Sequence, residues 1–364
     1  MLTHKIPISI SLCLIVKNEE QVLARCLDSV KDIVDEIIIV DTGSGDTTKE
    51  IAGRYTELIY DFPWIDDFAA ARNFAFAHAC KDYVFWLDAD DVIEEPDREK
   101  LLALKQSFDP TVDSVTMNYN LAFDQYGNLT VSLRRNRLVK RSYNFRWVGA
   151  VHEYLAVYGN IIDSDIAVTH KSEWHDSDRN LKIYEKRLES GEDFSPRDQY
   201  YYANELLDHR KIDKAIEWYK KFLEGGQGWV EDNLSTCKKL MDCYCELGDF
   251  DNVVKYAFLS FVFDVPRAEF CCRLGKYFFM AEKYKQAVFW YKLATQLEKP
   301  LNNRGFIDNM AWTWLPHLQL CVCYDHMGDY ERAFHHNEAA AQFIPDEPQV
   351  LHNRQYLKEK LGWS

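Results

Sequence analysis

The feature that most limits what this chain can fold into is a change of period near residue 181. Before it, short apolar runs alternate with segments of helical spacing. Ile8 to Val16 is a continuous apolar run, Glu20 to Val30 has helical spacing, Glu36 to Val40 is a second buried run, and Thr47 to Tyr55 is helical again. Leu58 to Tyr60, Phe68 to Ala79 and Tyr83 to Leu87 continue as strand, helix and strand. Alternation at this pace predicts βαβ units on a parallel sheet. Ligands of such sheets gather at the carboxyl ends of the strands, so the polar clusters to inspect follow Val16, Val40 and Leu87.

After residue 181 the pattern is helical throughout, and it repeats. Lys211-Ile212-Asp213-Lys214-Ala215, Asp249-Phe250-Asp251-Asn252-Val253, Lys283-Tyr284-Lys285-Gln286-Ala287 and Asp329-Tyr330-Glu331-Arg332-Ala333 are copies of one signature: a polar turn, an aromatic or Ile anchor, and a small residue opening a helix. The steps from Ala215 to Val253, Ala287 and Ala333 are 38, 34 and 46 residues. These repeats resemble degenerate tetratricopeptide units, whose helix-turn-helix period is near ~34. The reading is therefore two domains, an α/β domain over 1–190 and a helical-repeat domain over 191–364. The junction falls in Ser190-Gly191-Glu192-Asp193-Phe194-Ser195-Pro196. Stacked repeats also offer a surface for homo-oligomers.

Composition narrows the partners. A formal net charge of −15 over 364 residues argues against a nucleic-acid polyanion as the main partner. Ten cysteines are scattered without a zinc spacing, which predicts buried reduced thiols and a cytoplasmic protein. Lys5 followed by Ile6 to Val16 has the look of a signal segment. It lacks a small-residue cleavage site and runs into Lys17-Asn18-Glu19-Glu20, so a buried first strand is expected. No stretch reaches the ~18 to 20 apolar residues of a membrane span.

The chemistry-bearing residues sit where the sheet predicts them. Phe85-Trp86-Leu87-Asp88-Ala89-Asp90-Asp91 is an apolar strand ending in three carboxylates. Asp88 and Asp90 point to one side of an extended chain and would repel unless a cation lay between them, and their hard oxygens suit Mg²⁺ or Mn²⁺. Lys17-Asn18-Glu19-Glu20 leads out of the first strand, with Asn18 placed to cap the next helix and a helix N-terminus that favours anions. Val40-Asp41-Thr42-Gly43-Ser44-Gly45-Asp46-Thr47-Thr48 puts Asp41 where a carboxylate accepts from a ribose or base, with Asp46 as helix cap. It is not G-x-G-x-x-G, which disfavours a dinucleotide site. Phe68-Ala69-Ala70-Ala71-Arg72-Asn73 carries one guanidinium whose fork suits a diphosphate.

The ordered set V-K-N-E-E, I-I-V-D-T-G-S-x-D-x-T, A-x-A-R-N and L-D-A-D-D, over about residues 8 to 95, resembles the nucleotide-binding half of family-2 glycosyltransferases. The resemblance implies a GT-A fold, a nucleotide-sugar donor (UDP-linked), a divalent cation at a DXD motif, and transfer with inversion. It implies donor contacts at Ile15, Lys17, Asn18, Glu19, Asp41, Arg72, Asp88 and Ala89, and a cation on Asp90 with Asp88. Phe145-Arg146-Trp147-Val148-Gly149-Ala150-Val151-His152-Glu153 resembles the V-H-E segment of a subgroup with C-terminal tetratricopeptide repeats that includes bacterial peptide S-glycosyltransferases. Glu153 is the expected base, with Asp91 next in line near the acceptor. His170 is expected to complete the metal shell, with His152 as rival and His175 behind both. The acceptor implied is a protein, a peptide or a glycan.

Arg134, Arg135, Arg137, Lys140 and Arg141 form a basic run whose default reading is a solvated strand face, and whose alternative is an anion contact. Two competing functions belong to other classes. A nucleotidyltransferase would carry a Gly-rich, Lys/Arg-containing loop after the first strand, where this chain has Val16-Lys17-Asn18-Glu19-Glu20. A non-catalytic repeat scaffold would have lost its carboxylates, yet Asp41, Asp88, Asp90 and Glu153 are all present.

Overall fold

The computed structural model describes residues 5–125, 127–171, 178–300 and 307–363. It divides into two compact units, one of 1–122 with 132–194, the other of 123–131 with 195–364.

In the first unit the elements alternate as β1 (Ile10–Val16), α1 (Leu23–Asp28), β2 (Glu36–Asp41), α2 (Thr48–Ala52), β3 (Ile59–Asp61), α3 (Phe68–His78), β4 (Tyr83–Trp86), β5 (Asp91–Val92) and α4 (Asp97–Gln106). They continue as β6 (Ser114–Phe123), β7 (Leu129–Lys140), β8 (Arg146–Val148), β9 (Tyr154–Ala156), β10 (Ile161–His170) and α5 (Asp178–Glu189). The main sheet runs β3-β2-β1-β4-β7-β6-β10-β5. β1, β2, β3 and β4 pair in parallel, and β7 joins β4 antiparallel, so the sheet is mixed. The central strands are buried on both faces. Leu12 and Leu14 pack into one core cluster with Phe85 and Leu138, and Cys13 into another with Ile38, Val84 and Trp86. Burial on both sides explains why these strands read as unbroken apolar runs rather than alternating ones.

The second unit is built of paired helices: α6 (Pro196–Asp208) with α7 (Ile212–Gly225), α8 (Val230–Glu246) with α9 (Phe250–Phe263), α10 (Ala268–Met280) with α11 (Tyr284–Ala294), and α12 (Leu315–His326) with α13 (Tyr330–Ala341), then α14 (Pro348–Leu361). Ser195 opens the array with a capping box to Asp198. The four signatures occupy the turn inside each pair, and Ala215, Val253, Ala287 and Ala333 are buried. In every turn one residue is left-handed: Arg210 (φ 58), Gly248 (φ 73), Glu282 (φ 58) and Gly328 (φ 74). A glycine signal marks only two of the four turns, so backbone geometry defines the repeat better than residue identity does. Gly275 is small for a different reason. A Cβ there would meet the Tyr291 ring at 2.7 Å, so its absence lets α10 and α11 approach.

Candidate functional site

The loops after β1 and β2 are knit together. Asn18, left-handed at φ 56, accepts from the Gly45 amide at 2.8 Å, while its own amide donates to Ser44 Oγ at 2.9 Å. Glu20 accepts from the Thr47 amide and hydroxyl, and the Glu19 amide donates to Thr48 Oγ1. The expected helix cap is therefore corrected: α1 begins only at Leu23, without a side-chain cap, and Asn18 fastens loop to loop. Asp46 does receive the Thr48 amide at the start of α2. Asp41 is buried at the tip of β2. Its Oδ1 accepts from the Gly43 and Ser44 amides at 2.9 Å, and its Oδ2 has no partner among the described residues. Of the remaining expected donor contacts here, Ile15 is half-buried beside the second core cluster and Lys17 is exposed.

β4 ends at Trp86, so Asp88 and Asp90 lie in a turn rather than on a strand, and they part company. Asp88 turns to Arg72, whose Nη2 donates to Asp88 Oδ1 at 2.6 Å, while Arg72 Nε donates to Glu153 Oε1 at 2.5 Å. This guanidinium is 9% exposed and lies 5.0 Å from the Trp86 ring and 4.8 Å from the Trp147 ring. Burial alone would lower its pKa, but the Asp88 and Glu153 carboxylates outweigh that and raise it. The same pairing holds Asp88 below the usual carboxylate range against its own burial. The residue expected at the diphosphate thus has its Nε and Nη2 engaged by two carboxylates. What Arg72 does is bring the V-H-E segment to the carboxylate turn. Its neighbour Asn73 assists, exchanging two 3.0 Å hydrogen bonds with the backbone of Trp147.

Asp90 turns the other way. The described residues contain one group of three side chains able to share a metal ion: Asp90, Asp91 and His170, with ligand atoms all within 4.8 Å of one another. Register produces it, since β10 pairs antiparallel with β5 so that His170 faces Asp91. His170 Nδ1 lies 3.4 Å from Asp90 Oδ1 and 3.6 Å from Asp91 Oδ1, and the Tyr119 hydroxyl is 3.1 Å from the same nitrogen. The facing Asp90 and Asp91 carboxylates push the His170 pKa up to about 10. Burial, with Asp90 and Asp88 adding to it, pushes the Glu19 carboxyl up to about 7, which marks a surplus of negative charge here. Asp91 Oδ1 is buried without a hydrogen-bond partner among the described residues. A hard divalent cation fits that set of two carboxylates and an imidazole, and it would satisfy the orphaned oxygen.

Three further expectations change. Asp91, the second candidate base, is 0% exposed, with Oδ2 paired to Arg137 at 2.9 Å and Oδ1 turned toward His170. Asp91 rather than Asp88 belongs to the metal group, and His152 does not. The Ala89 side chain is buried in the core. His175 lies outside the described residues. Sequence reasoning missed Arg137 itself. It lies in a basic run expected to be solvated, yet its side chain is 0% exposed, whereas Arg141 is indeed exposed. The alternation of Arg135 and Arg137 along a strand was the available signal, but like residues on both sides masked it.

This geometry, an α/β sheet whose carboxyl edge gathers a carboxylate turn, an imidazole and an orphaned acceptor on the next strand, is that of a GT-A-type domain followed by tetratricopeptide-like repeats. Residues 11–158 match the family described as Glycosyl transferase family 2. The chain is 26% identical over 228 residues to the SPbeta prophage-derived glycosyltransferase SunS of Bacillus subtilis, covering 57% of this chain and 51% of SunS. It is 31% identical over 167 residues to the lipopolysaccharide core biosynthesis glycosyltransferase LpsC of Rhizobium meliloti, 43% of this chain and 60% of that one. A TPR repeat-containing protein of Synechococcus elongatus is 51% identical over 82 residues, only 22% of this chain and 20% of its own length. The chain thus spans between a fifth and three fifths of these relatives. Among solved structures, Staphylococcus aureus TarS 1-349 aligns at 14% identity with a TM-score of 0.38, covering 68% of this chain and 90% of that one.

Proposed function

We propose that this protein is a metal-dependent, inverting glycosyltransferase that moves a sugar from a UDP-linked donor to a protein, peptide or glycan acceptor. The observation that carries the reading is the adjoining pair of constellations: Asp90, Asp91 and His170 as a cation set, and the Asp88–Arg72–Glu153 chain beside it. Mg²⁺ or Mn²⁺ bound by the first set would neutralise charge on the departing diphosphate. The chain's own residues do the rest. Asp41, through its unpartnered Oδ2, accepts from the base or ribose, and Lys17 and Glu19 border the same edge. Glu153 takes the proton from the acceptor as the acceptor atom attacks the anomeric carbon and the bond to the diphosphate breaks. Arg72 keeps the Glu153 carboxylate aimed. The repeat array supplies acceptor contacts, and the abundance of free thiols favours a cytoplasmic setting.

The test is thermal melting with UDP, with and without Mn²⁺. UDP is expected to raise the melting temperature of the wild-type chain only when Mn²⁺ is present. Asp90→Asn is expected to abolish that rise while leaving metal-free melting unchanged. Equal stabilisation by UDP in EDTA sinks the proposal.

A further inference from the structure

Behind the cation set sits a charge that the proposed reaction does not use. Arg137 is fully buried, its guanidinium carbon 3.9 Å from the Trp86 ring and 4.4 Å from the Tyr119 ring. Its Nη1 lies 2.9 Å from Asp91 Oδ2 and donates to the Trp86 carbonyl at 3.2 Å, while Nε and Nη2 find no partner among the described residues. Burying a guanidinium with two unpartnered donors costs folding free energy, so stability alone does not account for it.

What it does is visible in its neighbours. Asp91 Oδ2 also accepts the Asp88 amide at 3.0 Å, so the oxygen gripped by Arg137 is the one that closes the carboxylate turn. That leaves Asp91 Oδ1 as the free oxygen on the side of His170 and Asp90. Tyr119, which covers one face of the guanidinium, places its hydroxyl 3.1 Å from His170 Nδ1. One cation therefore touches the strand that precedes the turn, the carboxylate inside it and the ring that orients the imidazole.

We propose that Arg137 is a positioning residue for the cation site: pinning Asp91 from behind, between two aromatic rings, it sets the arrangement in which Asp90, Asp91 and His170 take a divalent cation. The inference rests on the metal-site reading above. A planar guanidinium suits the slot between the Trp86 and Tyr119 rings while its Nη1 reaches the carboxylate, a shape that an ammonium lacks. Outer partners of this kind typically change metal affinity by ~10- to 100-fold when altered.

The experiment is Mn²⁺ binding alone, followed by water-proton relaxation on the full chain, beside thermal melting. Wild type is expected to bind Mn²⁺ and Asp90→Asn to lose it; a wild-type chain that binds none overturns the site reading itself. Arg137→Lys is expected to melt cooperatively near the wild-type temperature yet bind Mn²⁺ at least ~10-fold more weakly. Lys140→Gln, which removes a half-buried cation from the same strand, is expected to leave affinity unchanged. Wild-type affinity in a natively melting Arg137→Lys, or an equal loss in Lys140→Gln, overturns the inference while the site reading stands. Where Arg137→Lys fails to fold, Trp86→Phe decides: it keeps the ion pair but shrinks the platform, and unchanged Mn²⁺ affinity in that variant also overturns the inference.

Discussion

At the scale of single residues the site is organised by two buried arginines that share the Trp86 indole. Arg72 and Arg137 lie 5.0 and 3.9 Å from its ring. The first draws Asp88 and Glu153 together, and the second holds Asp91. Each of the three carboxylates in this short turn faces a guanidinium or the His170 imidazole. Glu153 is 11% exposed and gripped by Arg72 on one oxygen, which fixes its direction. Glu153→Gln is expected to lower turnover by ~10²- to 10⁴-fold with UDP and Mn²⁺ affinity preserved. Near-normal turnover with an unchanged Kd for UDP would pass the role to a different group.

At the scale of elements, the pairing of α12 with α13 places two histidines face to face. His317 Nδ1 and His336 Nδ1 are 3.1 Å apart, and the His336 ring stacks on Tyr324 at 5.6 Å. One nitrogen must donate and the other accept, so the contact exists only while at least one ring is neutral. Burial, with His317, His335, Lys292 and Arg332 adding positive charge, pushes His336 down to about 4 from the usual histidine value of 6.5. The folded state therefore binds fewer protons than the unfolded chain between these values. Stability contributed by the neutral ring is complete above about 6.5 and is lost as pH falls toward 4. The loss should reach about 1 to 3 kcal/mol. Chemical denaturation from pH 7.5 to 4.5 is expected to show a shallower decline for His336→Gln than for wild type. Parallel curves would mean that the pair does not titrate on folding.

At the scale of the whole molecule, the ten cysteines carry no disulfide, and eight are buried in both units, with Cys245 half-buried and Cys80 exposed. Burial pushes most of these thiols up, to about 12 for Cys237 and Cys271. Such thiols are shielded and slow to react. Titration of the native protein with a thiol reagent is expected to show a fast phase of a single group, lost in Cys80→Ser, with the remainder reacting only on unfolding. Reducing agent should leave the melting temperature unchanged. A fast phase of several thiols would mean that the repeat core opens readily. Among the described residues no helix is long and apolar enough to cross a membrane.

Much of this was legible in the residues themselves. Buried parallel strands need continuous apolar runs, and helix pairs need an apolar anchor with a small residue after each turn. These are local demands, so β1, β2, β4 and the four repeat turns stand where composition and period put them. The candidate ligands Asp90 and His170 were also foreseen, because a carboxylate turn after a buried strand carries its own chemical signature. Tertiary structure alone decided how these residues combine. That Asp88 would leave Asp90 for Arg72, that Asp91 would face His170, and that Arg137 would be buried rather than solvated depend on strand order and register. Only the antiparallel pairing of β10 with β5 and the place of β7 beside β4 bring residues some 50 to 80 positions apart into one charge network. Electrostatics inside such a network is set by distance and burial, and neither is written in the spacing of residues along a chain.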